Sequence, residues 1–214
     1  MDKPHLDIKF VSDVTCPWCA IGLASLDQAI AKVSSEADIT VRPEPFELNP
    51  DMGPGGDNVV AYLGRKYGRT PEQVAEVQDR IRGRGADVGF EFGKREHVWN
   101  TFAAHRVLHW AAAHGKGIEL KRALLRAYHG EGRNPGSPDV LAELAAEVGL
   151  DGARAREIAE GDEYANEVRQ RERHWIEMGV NGVPFVVVND RYAIEGGQPP
   201  EVFEEAMRRV LAAG

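Results

Sequence analysis

The chain has 214 residues, 43% of them hydrophobic, and carries 26 Lys and Arg against 34 Asp and Glu for a net charge of -8. A chain of this size buries an ordinary core without a disulfide framework, and its acidity argues against nucleic-acid backbones and anionic membrane surfaces as partners. No stretch approaches the roughly 18 uninterrupted apolar residues of a spanning helix, and the opening "MDKPHLDIKF" lacks a secretory h-region, so a cytoplasmic protein is expected.

From Leu6 the pattern L-x-I-x-F alternates apolar with charged residues, the period of a half-buried strand, and runs into Asp13 and Cys16. After Cys19, the spacing of Leu23, Leu26, Ile30 and Val33 predicts a helix whose first turn is "CPWC". Ile39 and Val41 begin a second strand, which Pro43 and Pro45 either cut off or push to a sheet edge.

From Asp51 to Trp175 the signals are helical, with no strand among them. "TPEQVAEVQDRI" opens with Thr70 as N-cap and Pro71 at the first helical position, and "SPDVLAELAAEVGL" repeats the arrangement with Ser137 and Pro138. "WNTFAAHRVLHWAAAHG" is stopped by Gly115 and "ELKRALLRAYHG" by Gly130. A charged helix spans Asp162 to Met178, where Glu167 to Arg173 reads as a solvated face with local ion pairs. Trp99, Trp110 and Trp175 read as core of this helical block.

Strand character returns in "VPFVVVNDRYAIEGG", where Asn189 and Asp190 suit a tight hairpin turn. A final helix begins near Pro199 and Pro200 and ends at Arg208 and Arg209. Strand, helix, strand, helical block, hairpin and helix make an α/β chain of thioredoxin-like fold with an all-helical insertion. Residues 1–50 and 176–214 would form the discontinuous thioredoxin-like domain and residues 51–175 the insertion.

The only two cysteines are Cys16 and Cys19. At a strand-to-helix junction, the unsatisfied N–H groups of the first turn favour a thiolate at Cys16, and Cys19, one turn on, can attack a mixed disulfide formed there. Pro17 fits a turn that needs no donor at its position. C-x-x-C is also half of a zinc knuckle, but no second half exists: His105 and His109 lie four apart without the Glu of a metalloprotease helix, so no metal is expected. Val183-Pro184, at the start of an inner strand, favours the redox reading over a metal site or a packing pair, because a cis proline there would leave the backbone groups of Val183 free.

"SDVTCPWCAIG", "FELNPDM", "NTFAAHRVLHWA", "EGRNPGSPDVLAELAAEVGL", "DEYANEVR" and "GVNGVPFVVVNDRYAIEGGQPPEVFEEA" together resemble the DsbA family of thiol-disulfide oxidoreductases, in its FrnE-like branch. The resemblance implies an enzyme acting on protein disulfides, with Cys16 as nucleophile, Cys19 as resolving thiol and Pro184 as the cis-proline opposite them. Pro17, Trp18 and Val183 would contact substrate, Val183 by pairing its backbone with an extended polypeptide. The redox group would be the Cys16-Cys19 pair itself, with no other cofactor, in a monomer or homodimer.

Three departures modify this expectation. Ala20 stands where the branch carries an aromatic, and Trp18 stands where periplasmic relatives carry His, which should leave Cys16 less acidic and the couple less oxidising. Phe10 stands where relatives bury an acid six residues before the first cysteine; Asp13 is the nearest substitute as a proton relay.

A rival reading is a glutathione-dependent enzyme, because "NTFAAHR" also resembles 2-hydroxychromene-2-carboxylate isomerases and kappa-class glutathione transferases. Those carry Ser at the position of Cys16, so the intact dithiol favours exchange chemistry. Glutathione could still serve as co-substrate, its carboxylate held near Gly197 and Gln198 at the start of the last helix. His105 and Arg106 are candidates to face the site, and a non-catalytic holdase is a third reading.

Overall fold

Leu6, Ile8 and Phe10 alternate along β1 (His5–Ser12) and are fully buried on one face of a sheet. The computed structural model describes residues 3–213. α1 (Pro17–Val33) follows β1 directly, and β2 (Asp38–Pro45) returns parallel to it. β2 runs through both of its later prolines, Pro43 opposite Phe10 and Pro45 opposite Ser12. It can do so because it is an edge strand: the four-stranded order is β2-β1-β5-β6.

The helical segment departs in places from its sequence pattern. A two-residue ladder pairs β3 (Asp57–Asn58) with β4 (His97–Val98), in a stretch where no strand is expected; two residues are too few to show a period of two. α2 (Val59–Tyr67) follows β3, capped by the Asn58 side chain on the N–H groups of Val60 and Ala61. α3 (Pro71–Asp87) opens with the full Thr70–Gln73 capping box. α4 (Phe102–Ala113) and α5 (Gly117–Leu125) come next, and α5 widens into a π-helical turn, Arg126–Gly130. α6 (Pro138–Glu147), α7 (Gly152–Glu160) and α8 (Ala165–Glu177) complete the segment.

β5 (Phe185–Val188) and β6 (Tyr192–Glu195) form the hairpin, with Asn189 and Asp190 both at positive φ as a two-residue turn of primed type requires. α9 (Pro200–Ala212) ends the chain's described structure. Its Phe203 and Met207 pack with Leu26 and Ala29 of α1 over the sheet, each large side chain contributing about 1.5–3 kcal/mol. The result is a thioredoxin-like α/β fold with a helical insertion.

The opposite sheet face overturns one expectation and qualifies another. Trp175 packs with Val11, Phe46 and Val180 against the sheet rather than in the insertion core, and its indole N–H donates to Glu44. The charged run of α8 keeps an exposed face and a local pair, Arg169 with Glu172, but is also tied inward, Arg171 to buried Glu44 and Arg169 to buried Glu47. Glu44 and Glu47 lie more than a hundred positions from the α8 residues they meet, beyond the reach of any local pattern.

Candidate functional site

Cys16 is the N-cap residue of α1 (φ −82°, ψ 114°), with Pro17 at the first helical position. The N–H groups of Cys19 and Trp18 face its sulfur, so the helix start supplies donors where a thiolate would form. Cys16 is 4% exposed and Cys19 fully buried. Hydrogen bonding from Cys19 pulls the Cys16 thiol below the ordinary range, outweighing burial and the nearby Asp13 carboxylate. Burial, and then the adjoining Cys16, push Cys19 well above that range. Two thiols of one helical turn are thus separated in acidity.

The Val183–Pro184 peptide bond is cis, and the Cys16 thiol donates to the Val183 carbonyl oxygen at 3.4 Å. Two glycines permit this approach. A Cβ on Gly22 would lie 2.9 Å from Pro184 Cγ, and one on Gly197 would lie 2.9 Å from the Trp18 carbonyl oxygen. The Gly196 N–H donates to the Pro184 carbonyl at 2.9 Å, fastening the loop to the turn before α9.

Each residue of the loop before Cys16 is held by the helical segment. Lys121 Nζ, from α5, donates to the Ser12 carbonyl at 3.4 Å, the His129 ring Nε2 meets the Val14 carbonyl at 2.8 Å, and Arg95 Nη1 donates to the Thr15 carbonyl at 3.3 Å. Asp13, 1% exposed, accepts from Thr15 Oγ1 at 2.9 Å, Thr101 Oγ1 at 2.9 Å and the Leu48 N–H at 2.8 Å. Burial alone would raise the Asp13 pKa; His105, the Leu48 N–H and Lys121 more than offset it and hold the carboxyl well below the usual range. A carboxylate so fully bonded is a fixed anchor of the junction and a poor carrier of protons near neutrality.

Lys121 and His129 escaped the sequence reading. Lys121 is fully buried, and burial lowers its pKa while the charges of Cys19, Asp13 and Cys16 act to raise it. Burial holds His129 well below its ordinary value, leaving a neutral ring whose Nε2–H donates to Val14. The one available signal was a lysine and a histidine interrupting otherwise apolar helix faces.

The remaining candidates are dispersed. His105 is buried beside Asp13, its Nε2 3.6 Å from Oδ1, and does not reach the groove. Arg106 turns away altogether, donating to the carbonyls of Ile158, Gly161 and Ala159 at 2.6, 2.6 and 3.2 Å and so capping the end of α7. Gly197 packs beside Trp18, but the Gln198 N–H is spent on the Gly196 carbonyl and its side chain on the Glu195 carbonyl, while Pro199 and Pro200 offer no donor. The expected carboxylate cradle at α9 therefore lacks most of its N–H groups. Among the described residues no group of three or more His, Cys, Asp or Glu could hold a metal ion, and no helix is long and apolar enough to cross a membrane.

A groove of about 400 Å³ opens over Cys16 and Pro17. Asn181 to Val183 border it on one side, and Tyr62, Tyr67 and Ile81 of α2 and α3 on the other. Trp18, 39% exposed, stands at its mouth. A larger cavity of about 630 Å³ behind α1 contains neither cysteine.

Residues 7–208 match the DSBA-like thioredoxin domain. The chain belongs to this family. The DsbA-like chain is 31% identical over 201 residues to the Bacillus subtilis protein YwbO, described as uncharacterized, covering 94% of each. It is similar to the crystal structure of a probable DsbA oxidoreductase from Streptomyces coelicolor, with a TM-score of 0.90 and 32% identity, over 97% of this chain and 91% of that one. The DsbA-like fold is shared with the cytosolic disulfide reductase DsbM of Pseudomonas aeruginosa, solved with GSH, at a TM-score of 0.67 and 22% identity over 96% and 99% of the two chains.

Proposed function

We propose that this chain is a cytoplasmic thiol-disulfide oxidoreductase acting on protein disulfides through Cys16 and Cys19. The observation that carries the reading is the pair's setting: Cys16 at a helix start, lowered in pKa and 3.4 Å from the Val183 carbonyl, with Cys19 buried one turn behind it. In the reducing direction the Cys16 thiolate attacks one sulfur of a substrate disulfide, forming a mixed disulfide and expelling the other sulfur as a thiolate that takes up a proton. Cys19 then loses its proton and attacks the Cys16 sulfur; the internal disulfide forms and the second substrate thiol leaves. Two electrons pass from the dithiol to the substrate. Oxidation of a substrate dithiol is the same sequence reversed. A second thiol, such as glutathione, or another dithiol protein would restore the pair.

Glutathione-dependent isomerase or transferase chemistry is the second reading, favoured by the shared fold of DsbM, whose structure contains GSH. The occupied and absent donors at Gln198, Pro199 and Pro200 count against a carboxylate site at α9. One substitution separates the readings. Cys16→Ser should abolish both insulin reduction and refolding of scrambled ribonuclease; activity surviving the change would remove the dithiol mechanism.

A further inference from the structure

The chain carries 34 acidic residues against 26 Lys and Arg, yet the groove over Cys16 is lined by Lys66, Arg69 and Arg95 and by no Asp or Glu. Neighbouring cations on the same segment are neutralised: Arg65 by Asp57, Arg82 by Asp79, Lys94 by Glu96. The three in the groove are held without losing charge. Lys66 Nζ donates to the Leu48 carbonyl at 3.0 Å and to Asn49 Oδ1 at 2.7 Å, Arg95 to the Thr15 carbonyl at 3.3 Å, and Arg69 lies 5.8 Å from the Tyr67 ring centre. Among the described residues none of the three has a carboxylate partner.

A second cavity, of about 610 Å³, adjoins the groove at Pro17, Gln78, Ile81 and Arg95, and the other charged residues of its lining are Arg82, Lys94 and Glu96. The Val183 N–H has no intramolecular acceptor among the described residues, and β5 begins to pair only at Phe185. A free backbone edge beside the groove suits an extended chain of several residues.

We propose that the groove selects cysteines set in extended acidic peptide segments, whose flanking carboxylates meet Lys66, Arg69 and Arg95. This rests on the dithiol reading and names the substrate that reading lacks. Complementary charge of this kind acts chiefly on encounter and orientation, and is weakened by salt.

The test uses pre-reduced protein in single turnover with two peptides of equal length, each carrying one cysteine as a mixed disulfide with mercaptoethanol, flanked in one by Glu and Asp and in the other by Lys. Each rate is divided by that of dithiothreitol with the same peptide, which removes intrinsic differences in reactivity. The acidic peptide should react roughly tenfold faster at low ionic strength, with the ratio falling toward one at high salt. In a Lys66→Glu, Arg69→Glu variant the preference should reverse. A ratio near one in the unsubstituted protein, or one unmoved by the charge reversal, overturns the assignment, as does faster turnover of glutathione disulfide than of either peptide, which would give the groove to a small thiol. Bis(2-hydroxyethyl) disulfide separates the two levels: if the protein reduces this neutral compound while showing no charge preference, only the substrate assignment falls, whereas failure on all four disulfides removes the dithiol reading and the assignment with it.

Discussion

Cys16 Sγ lies 3.4 Å from the carbonyl oxygen of Val183, a residue 167 positions further along the chain. The contact joins the two ends of the thioredoxin-like half across α1 and the cis Val183–Pro184 bond. A peptide bound along Val183 would therefore run directly over the more acidic of the two thiols, while Cys19 stays screened beneath it.

The resolving role of Cys19 predicts a trapped intermediate. In a Cys19→Ala variant, Cys16 retains its helix-start donors but nothing inside the protein can release the substrate. A covalent adduct whose mass equals protein plus substrate thiol should accumulate on non-reducing gels and disappear with dithiothreitol. Turnover at the unsubstituted rate would show that Cys19 takes no part.

Trp18 is exposed enough to be exchanged at little cost to folding, so Trp18→His isolates its effect on the thiol. An imidazole at this position adds a donor to the Cys16 thiolate, which should lower its pKa and make the couple more oxidising, with about 30 mV corresponding to each tenfold change in equilibrium. Thiolate absorbance against pH, together with equilibration in a glutathione buffer, measures both. Unchanged values would mean that the side chain points its chemistry away from the sulfur.

Lys121 should matter to both stability and resolution. Lys121→Met leaves the buried Asp13 carboxylate and the Ser12 carbonyl without a facing cation, and the melting temperature should fall. The same change removes a charge that lowers the Cys19 pKa, so the mixed disulfide should persist several-fold longer. A variant that melts at the parent's temperature, or resolves at the normal rate, contradicts this account.

Asp13 predicts a pH-dependent loss. Because its folded pKa is depressed, the ionised carboxyl stabilises the protein fully above the unfolded value of about 3.9 and less as pH falls toward the folded value. Asp13→Asn turns an amide donor toward groups that are themselves donors and should cost about 2 kcal/mol near neutrality. The gap between variant and parent in denaturant titrations should narrow near pH 3. A gap constant with pH would assign the loss to shape alone.

What could be read from the residues was whatever repeats locally. Leu6, Ile8 and Phe10 announce a strand, the spacing after Cys19 a helix, and Asn189 and Asp190 a hairpin, and these elements carry the cysteines and Val183. What could not be read depends on burial and distant pairing. Lys121 and His129 look like surface residues until α5 and its π-helical turn are packed against the junction of β1 and α1, and nothing local pairs Arg171 with Glu44 or Arg169 with Glu47. His105 and Arg106, adjacent in sequence, turn to opposite tasks because successive residues on a helix point about 100° apart. The groove was hidden with α2, whose short run "VVAYLGRKY" carries too few turns for its pattern to stand out.

The polar ties that Lys121, Thr101, His129 and Arg95 make to Ser12, Asp13, Val14 and Thr15 mean that the approach to the nucleophile is owned jointly by both parts of the chain. A fragment built from the sheet half alone would keep the cysteine spacing while surrendering three carbonyls and a carboxylate to solvent. Its Cys16 would keep Cys19 and the start of α1, which set the thiol's acidity, and lose the fixed approach to them. The four consecutive residues Ser12 to Thr15 are thus the route by which the helical segment meets the nucleophile.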